Sequence, residues 1–264
     1  MTQTSHSIYE RAVMLDGAAV RATAVPQFDI DNTLSVADAY AIQAASIGLR
    51  VERGERRVGV KMGFTSRAKM VQMGLSDVIW GRLTHAMQVE EGGTVDFGRF
   101  VHPRVEPEIA FLLKRPLSGE VTAAEALAAV EAVAPALEII DSRFQNFKFT
   151  LPEVIADNAS SSGFVVGAWH DPHCDFTNLG LMLSIDGRAV QVGSTAAILG
   201  HPLRALVAAA RLSGAAGEPL EAGSVVMAGG ATQAEWIKPG QYVSVDMERL
   251  GHAGFHVGGK ERQQ

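Results

Sequence analysis

The sequence predicts an α+β fold, a β-rich core with peripheral helices and a smaller mixed N-terminal part. Three observations carry this. Strand-like runs outnumber helical ones after about residue 100, no regular strand–helix–strand alternation appears, and no glycine-rich phosphate loop opens a helix. The missing strand–helix alternation and phosphate loop argue against a doubly wound parallel sheet.

Taken in order, "LSVADAYAIQAASIGLRVERG" over 34–54 predicts a helix capped by Ser35 and ended by Gly54. "VTAAEALAAVEAVAP" over 121–135 predicts a second, with Thr122 and Glu125 spaced as a capping box and Pro135 as the stop. A third follows Pro202 over 203–213. The runs "RVGVKMGF", "RVEPEIAFLL", "ALEIID", "GFVVGAW", "LGLMLSIDG", "GSVVMAGG" and "QYVSVDM" read as strands, and Asp186-Gly187 marks a hairpin turn. "EGGTVDFGRF", around Gly92 and Gly93, is the best boundary between a mixed part over 1–93 and a β-rich part over 94–264, the two expected to act as one unit. The final "GGKERQQ" reads as a frayed tail.

Composition narrows the function. A net charge of −6 and the lack of any basic cluster interleaved with aromatics argue against nucleic acid as a partner. No signal peptide opens the chain, and no apolar run reaches the roughly 20 residues of a membrane helix. The single cysteine, Cys174, forms no internal disulfide and suits a reducing cytoplasm. Its neighbours His173 and Asp175 lie adjacent in a loop, where residues seldom converge on one ion, and acidic flanks raise a thiol pKa.

The chemistry concentrates in acids set into apolar strands. In "RVEPEIAF" Glu106 and Glu108 share one face of a strand, roughly 7 Å apart, and Pro107 between them marks interrupted pairing. Glu138 opens another apolar run, whereas Asp141, three residues on, faces the opposite side. Three carboxylates make an all-oxygen site suited to Mg²⁺ or Mn²⁺. An equal reading makes them rim charges neutralised by Arg104 and Arg143. Lys61, in "VGVKMGF", is a cation in a buried-looking strand that either snorkels to water or serves a site. "ADNASSSGFVVG" over 156–167 offers hydroxyls and N–H groups at a strand entrance, or simply a turn. His102 and His201, each beside a proline, read as structural, and no His or Cys spacing suits zinc.

Together the blocks "VGVKMGFTSRAKMVQMG", "RVEPEIAF", "PALEIIDSRFQNFKF", "VIADNASSSGFVVG", "LGHP" and "GSVVMAGG" resemble the fumarylacetoacetate hydrolase superfamily, in its 2-keto-4-pentenoate hydratase / 4-oxalocrotonate decarboxylase branch. The resemblance implies a mixed β-sheet roll around a divalent metal, Mg²⁺ or Mn²⁺, in a homo-oligomer. It implies Glu106, Glu108 and Glu138 as metal ligands, Lys61 and Ser160 as catalytic residues, and Ser161 beside them at the substrate. Hydratases of the branch carry an Asp-aromatic-Gly triplet where this chain has Ile79-Trp80-Gly81. Loss of that acid favours decarboxylation of a dicarboxylate 2-oxo acid, with Ile79 and Trp80 as an apolar wall, while nearby Asp77 keeps the hydratase alternative open. A non-catalytic subunit stabilising a partner hydratase is the third reading, and the resemblance is also compatible with an active complex with such a hydratase.

Overall fold

The structure, a computed structural model, describes residues 3–31, 33–66, 70–71 and 76–260. Its strands are β1 (Arg57–Gly63), β2 (Ile79–Thr84), β3 (Gln88–Val89), β4 (Thr94–Asp96), β5 (Arg104–Leu113), β6 (Val130–Ile140) and β7 (Ser161–Val166). They continue with β8 (Gly180–Ile185), β9 (Arg188–Ser194), β10 (Val225–Met227), β11 (Glu235–Trp236), β12 (Tyr242–Met247) and β13 (Gly251–Gly258). The helices are α1 (Gln3–Arg21), α2 (Val36–Glu52), α3 (Ala123–Ala128), α4 (Leu151–Ala156) and α5 (Leu203–Ala215).

The larger sheet runs β2-β1-β10-β5-β6-β7-β3, with β11 pairing beside part of β5. The smaller runs β4-β13-β12-β8-β9. Val60, Phe111, Leu137 and Val226 of the first share one apolar core with Val243, Val245 and Phe255 of the second. Each such side chain contributes about 1.5–3 kcal/mol by leaving water. Mixed sheets with helices outside them are what an α+β fold requires, and the large sheet draws strands from both sides of Gly93.

Local signals hold where they are strongest. Ser35 Oγ accepts the Asp38 N–H at 3.0 Å and starts α2, and Gly54 follows its end at φ 99°. Asp186 and Gly187, at φ 52° and 74°, form the β8–β9 turn with both residues left-handed, as a type I′ hairpin needs.

The helix expected over 121–135 is wrong in its second half. The Thr122–Glu125 capping box is present, but α3 stops at Ala128 and β6 begins at Val130. The alanine-rich run "AAVEAVAP" tolerates either state, and pairing with the ten-residue β5 decides for strand. Nearly every residue of β6 is buried, so no alternation was visible to oppose the helical reading. Pro135, expected as a stop, lies inside the strand, its carbonyl accepting the Gly167 N–H at 2.9 Å.

Helix α1 was not among the elements expected from the sequence; it lays Ala12 and Leu15 into a second core with Ala39, Ile42, Ile79 and Phe144. Among the described residues no helix is long and apolar enough to cross a membrane. Parts of the "VGVKMGFTSRAKMVQMG" block, over 67–69 and 72–74, and the tail over 261–264 lie outside the described residues.

Candidate metal centre and active site

The acids of β5 and β6 converge. Glu106 pairs directly opposite Glu138 across the two strands, and Glu108 lies two residues on, hence on the same face. One carboxylate oxygen from each of Glu106, Glu108 and Glu138 can be chosen so that all three lie within 4.8 Å of one another. On its other edge β5 pairs with β10 only over Ala110–Leu112 and with β11 only over Arg104–Val105. The gap holds Pro107, whose missing N–H has no ladder to break there. Residues from Ala228 to Ala231 fill it, the Ala231 N–H donating to Pro107 O at 2.9 Å.

Two glycines in that filler bring the backbone onto the acids. The Gly229 N–H donates to Glu108 Oε2 at 2.8 Å, from a φ of 103° that glycine adopts readily. A Cβ on Gly230 would sit 2.6 Å from Glu106 Oε2. The pair "GG" after an apolar run was the available sequence signal for this close approach.

Lys61 does not snorkel. It is 3% exposed, its Nζ lies 2.8 Å from Glu138 Oε2, and it donates to Ala159 O at 3.1 Å. Burial works against the ammonium, but the charges of Glu138, Glu108 and Glu106 outweigh it and raise the Lys61 pKa. Ser161 Oγ donates to Glu138 Oε1 at 2.9 Å.

Three carboxylates converge here, with the Lys61 ammonium in contact with Glu138. Burial, then the neighbouring Glu138, pushes the Glu108 pKa well above the ordinary carboxylate range; burial also raises Glu138 against the pull of Lys61. Glu108 Oε1 is buried and, among the described residues, has no hydrogen-bond partner. An orphaned carboxylate oxygen among three convergent carboxylates fits a divalent, oxygen-seeking cation. The reading of rim charges neutralised by Arg104 and Arg143 holds only in part: Arg143 is engaged with Asp157 and Ser162, and Glu108 and Glu138 are fully buried, but the charges of Arg104 and Glu106 do attract.

The "DNASS" segment is a turn that also builds the site. Asn158, Ala159 and Ser160 are consecutive left-handed residues, at φ 53°, 50° and 60°. Non-glycine residues there cost of order 1–3 kcal/mol each, so the surroundings must hold them. Asn158 does so: its Oδ1 accepts the Arg82 N–H at 2.7 Å and its Nδ2 donates to Arg82 O at 2.9 Å. Gly81 lets the turn approach, since a Cβ there would lie 2.5 Å from Asn158 O. Asn158→Ala therefore strips a buried N–H and C=O of their partners. The expected loss is roughly 2–4 kcal/mol in denaturant unfolding, with activity falling as Ala159 O and Ser160 lose their positions.

Lys61, Glu106, Ile79 and Ser160 line a cavity of about 620 Å³, together with Phe64, Phe147, Phe149 and the 230–234 segment. Trp80 does not. Adjacent strand residues face opposite ways, and Trp80 stacks on Tyr40 with the Arg82 guanidinium 4.5 Å from its ring. The wall expected of Ile79 and Trp80 is therefore Ile79 with phenylalanines. Ser161, buried, meets Glu138 instead of the cavity, and Asp77 is paired with Arg211 at 2.8 Å, outside the lining. Neither His102, His201 nor Cys174 lines it. Sequence reasoning missed Arg104 as a pocket residue. Its guanidinium lies between Phe147 and Trp236, 4.3 and 3.9 Å from the ring centres, with a buried Nε lacking a partner.

Residues 57–257 match the family described as fumarylacetoacetate (FAA) hydrolase C-terminal. A 4-oxalocrotonate decarboxylase of Pseudomonas sp is 61% identical over 249 residues, covering 94% of this chain and 97% of that one. A 2-keto-4-pentenoate hydratase of Paraburkholderia xenovorans (strain LB400) is 36% identical over 229 residues, covering 86% and 85%. The solved 4-oxalocrotonate decarboxylase from Pseudomonas putida G7, complexed with magnesium and adipate, superposes at a TM-score of 0.93 with 36% identity, covering 97% of this chain and 99% of that one. With the match spanning most of the chain and the roll of sheets it requires in place, the chain belongs to the fumarylacetoacetate hydrolase family.

Proposed function

We propose that the chain is a divalent-metal-dependent carboxy-lyase that converts 2-oxo-3-hexenedioate (4-oxalocrotonate) to 2-hydroxypenta-2,4-dienoate and CO₂, a step in meta-cleavage catabolism of aromatic compounds. The observation that carries it is the cavity lining: among the described residues Glu106 is its only carboxylate, and no histidine faces it. Hydration or C–C hydrolysis needs a base to activate water. Decarboxylation needs an electron sink. The 61% identity to a decarboxylase, against 36% to a hydratase, supports the same reading.

Glu106, Glu108 and Glu138 hold the cation, magnesium or manganese by their hard oxygen ligands. When bound, the cation supplies Lewis-acid stabilisation of the charge that collects on the 2-oxo oxygen. Lys61, kept protonated by the acids, orients Glu138 and adds positive potential at the same end of the cavity. The Ser160 hydroxyl donates to a substrate carboxylate oxygen, and Arg104, which lines the same cavity, holds the second carboxylate. The C5–C6 bond breaks, its electron pair delocalises through the C3–C4 double bond onto the 2-oxo oxygen, and that oxygen takes up one proton. Ile79 and the phenylalanines exclude water and favour departure of neutral CO₂. Because the dienol product is unstable, a homo-oligomer handing it to a bound hydratase is part of the same proposal.

One assay separates the readings: CO₂ release from the hexenedioate against loss of the dienoate's ultraviolet absorbance. CO₂ release with negligible hydration is expected; hydration without CO₂ release would refute the assignment. Ile79→Asp places an acid where the hydratases of the branch have one. Decarboxylation should fall roughly tenfold or more, as a charge is added to a desolvated wall, while Ile79→Val, as a volume control, stays close to the parent rate.

A further inference from the structure

A second cavity, of about 230 Å³, lies apart from the first, with Arg50, Arg53, Arg99, Arg143 and Ser162 among its lining. The two cavities take alternate residues of one segment, Ser160 facing the first and Ser162 the second. Three of the four arginines are engaged. Arg143 binds Asp157 and Ser162, Arg53 holds both oxygens of Asp16 at 2.7 Å, and Arg99 reaches Ala86 O at 3.4 Å. The lining acids are engaged as well: Glu55 accepts from Thr84 Oγ1, and Asp141 from the Val101 and His102 N–H groups.

Arg50 is the exception. Its side chain is 14% exposed, and among the described residues its guanidinium makes no hydrogen bond. Its nearest carboxylate oxygen, Asp16 Oδ1, stands 3.8 Å away and is already held by Arg53. The N–H donors of this mostly buried guanidinium line the cavity, open to an incoming acceptor. Burial, then the facing Arg143, disfavours the charge on Arg50, against the opposing pull of Glu55, Asp16 and Asp157.

We infer that this cavity is a binding site for a small oxyanion, a phosphate or a carboxylate group, gripped by the Arg50 fork with Ser162 and the neighbouring arginines at its walls. The guanidinium geometry matches two oxygens of such a group. The volume is below the roughly 300–1,000 Å³ of pockets for drug-sized ligands, so an ion or the end of a short metabolite fits and a nucleotide does not.

The test is titration of the metal-loaded protein with inorganic phosphate at constant ionic strength set with chloride, followed by calorimetry. Saturable binding is expected, weakened about tenfold or more in Arg50→Gln and partly retained in Arg50→Lys, but unchanged in Ser160→Ala and in the surface control Arg188→Gln. Arg50→Lys keeps the test informative if Arg50→Gln folds poorly. Displacement of the bound phosphate by acetate identifies the carboxylate as a recognised group, and failure to displace it restricts the site to phosphoryl oxygens; either supports the site. No saturable binding, binding undiminished in both Arg50 variants, or binding lost in Ser160→Ala would overturn it.

Discussion

Glu106→Gln is expected to lose decarboxylation by about a thousandfold or more, and ordinary concentrations of added Mg²⁺ should not restore it. The amide keeps the volume of the carboxylate but removes one of three negative charges that converge within 4.8 Å. It also presents an NH₂ group, a donor, where a cation needs an acceptor. Glu106 lines the cavity, so the substitution has less effect on folding than one at fully buried Glu108 or Glu138. Steady-state CO₂ release with a Mg²⁺ titration measures it. A fully active, metal-independent Glu106→Gln protein would remove the metal site from the mechanism.

Lys61→Met should produce the other large effect, visible in stability as well as rate. Lys61 is buried against Glu138 in the cluster of three acids, and breaking a buried ion pair from one side costs about 3–5 kcal/mol. That loss is expected in denaturant unfolding of metal-free protein. Saturating Mg²⁺ should recover part of it, because a divalent cation then compensates the acids that the lysine no longer offsets. Activity should stay low even with metal, since Glu138 loses its positioning contact and the Ser160 turn loses its tie through Ala159 O. Equal stability of parent and variant in metal-free buffer would mean that Lys61 does not offset the cluster.

How far the sequence reached depends on what each feature needed. Glu106, Glu108 and Glu138 were legible because a charged residue in an apolar strand is an anomaly in one dimension. Register then places Glu106 opposite Glu138, which no local pattern could show. Lys61 was visible as an anomaly of opposite sign, but only the fold settles that it is buried against Glu138. Residues 130–135 were misread because a strand buried on both faces carries no period of two, and alanine suits a helix as well. Trp80 was grouped with Ile79 by adjacency, although neighbours in a strand face opposite ways. Arg104 and Asn158 act through contacts with residues distant in the chain. Their types alone could not mark them.

The central claim is that the three glutamates hold a divalent cation that decarboxylation requires. Protein stripped of metal by chelation and then titrated with Mg²⁺, with binding and CO₂ release followed on the same samples, tests it directly. The account predicts one ion bound per chain, negligible release before addition, and activity rising in parallel with occupancy. Undiminished CO₂ release from protein verified to be metal-free would contradict it.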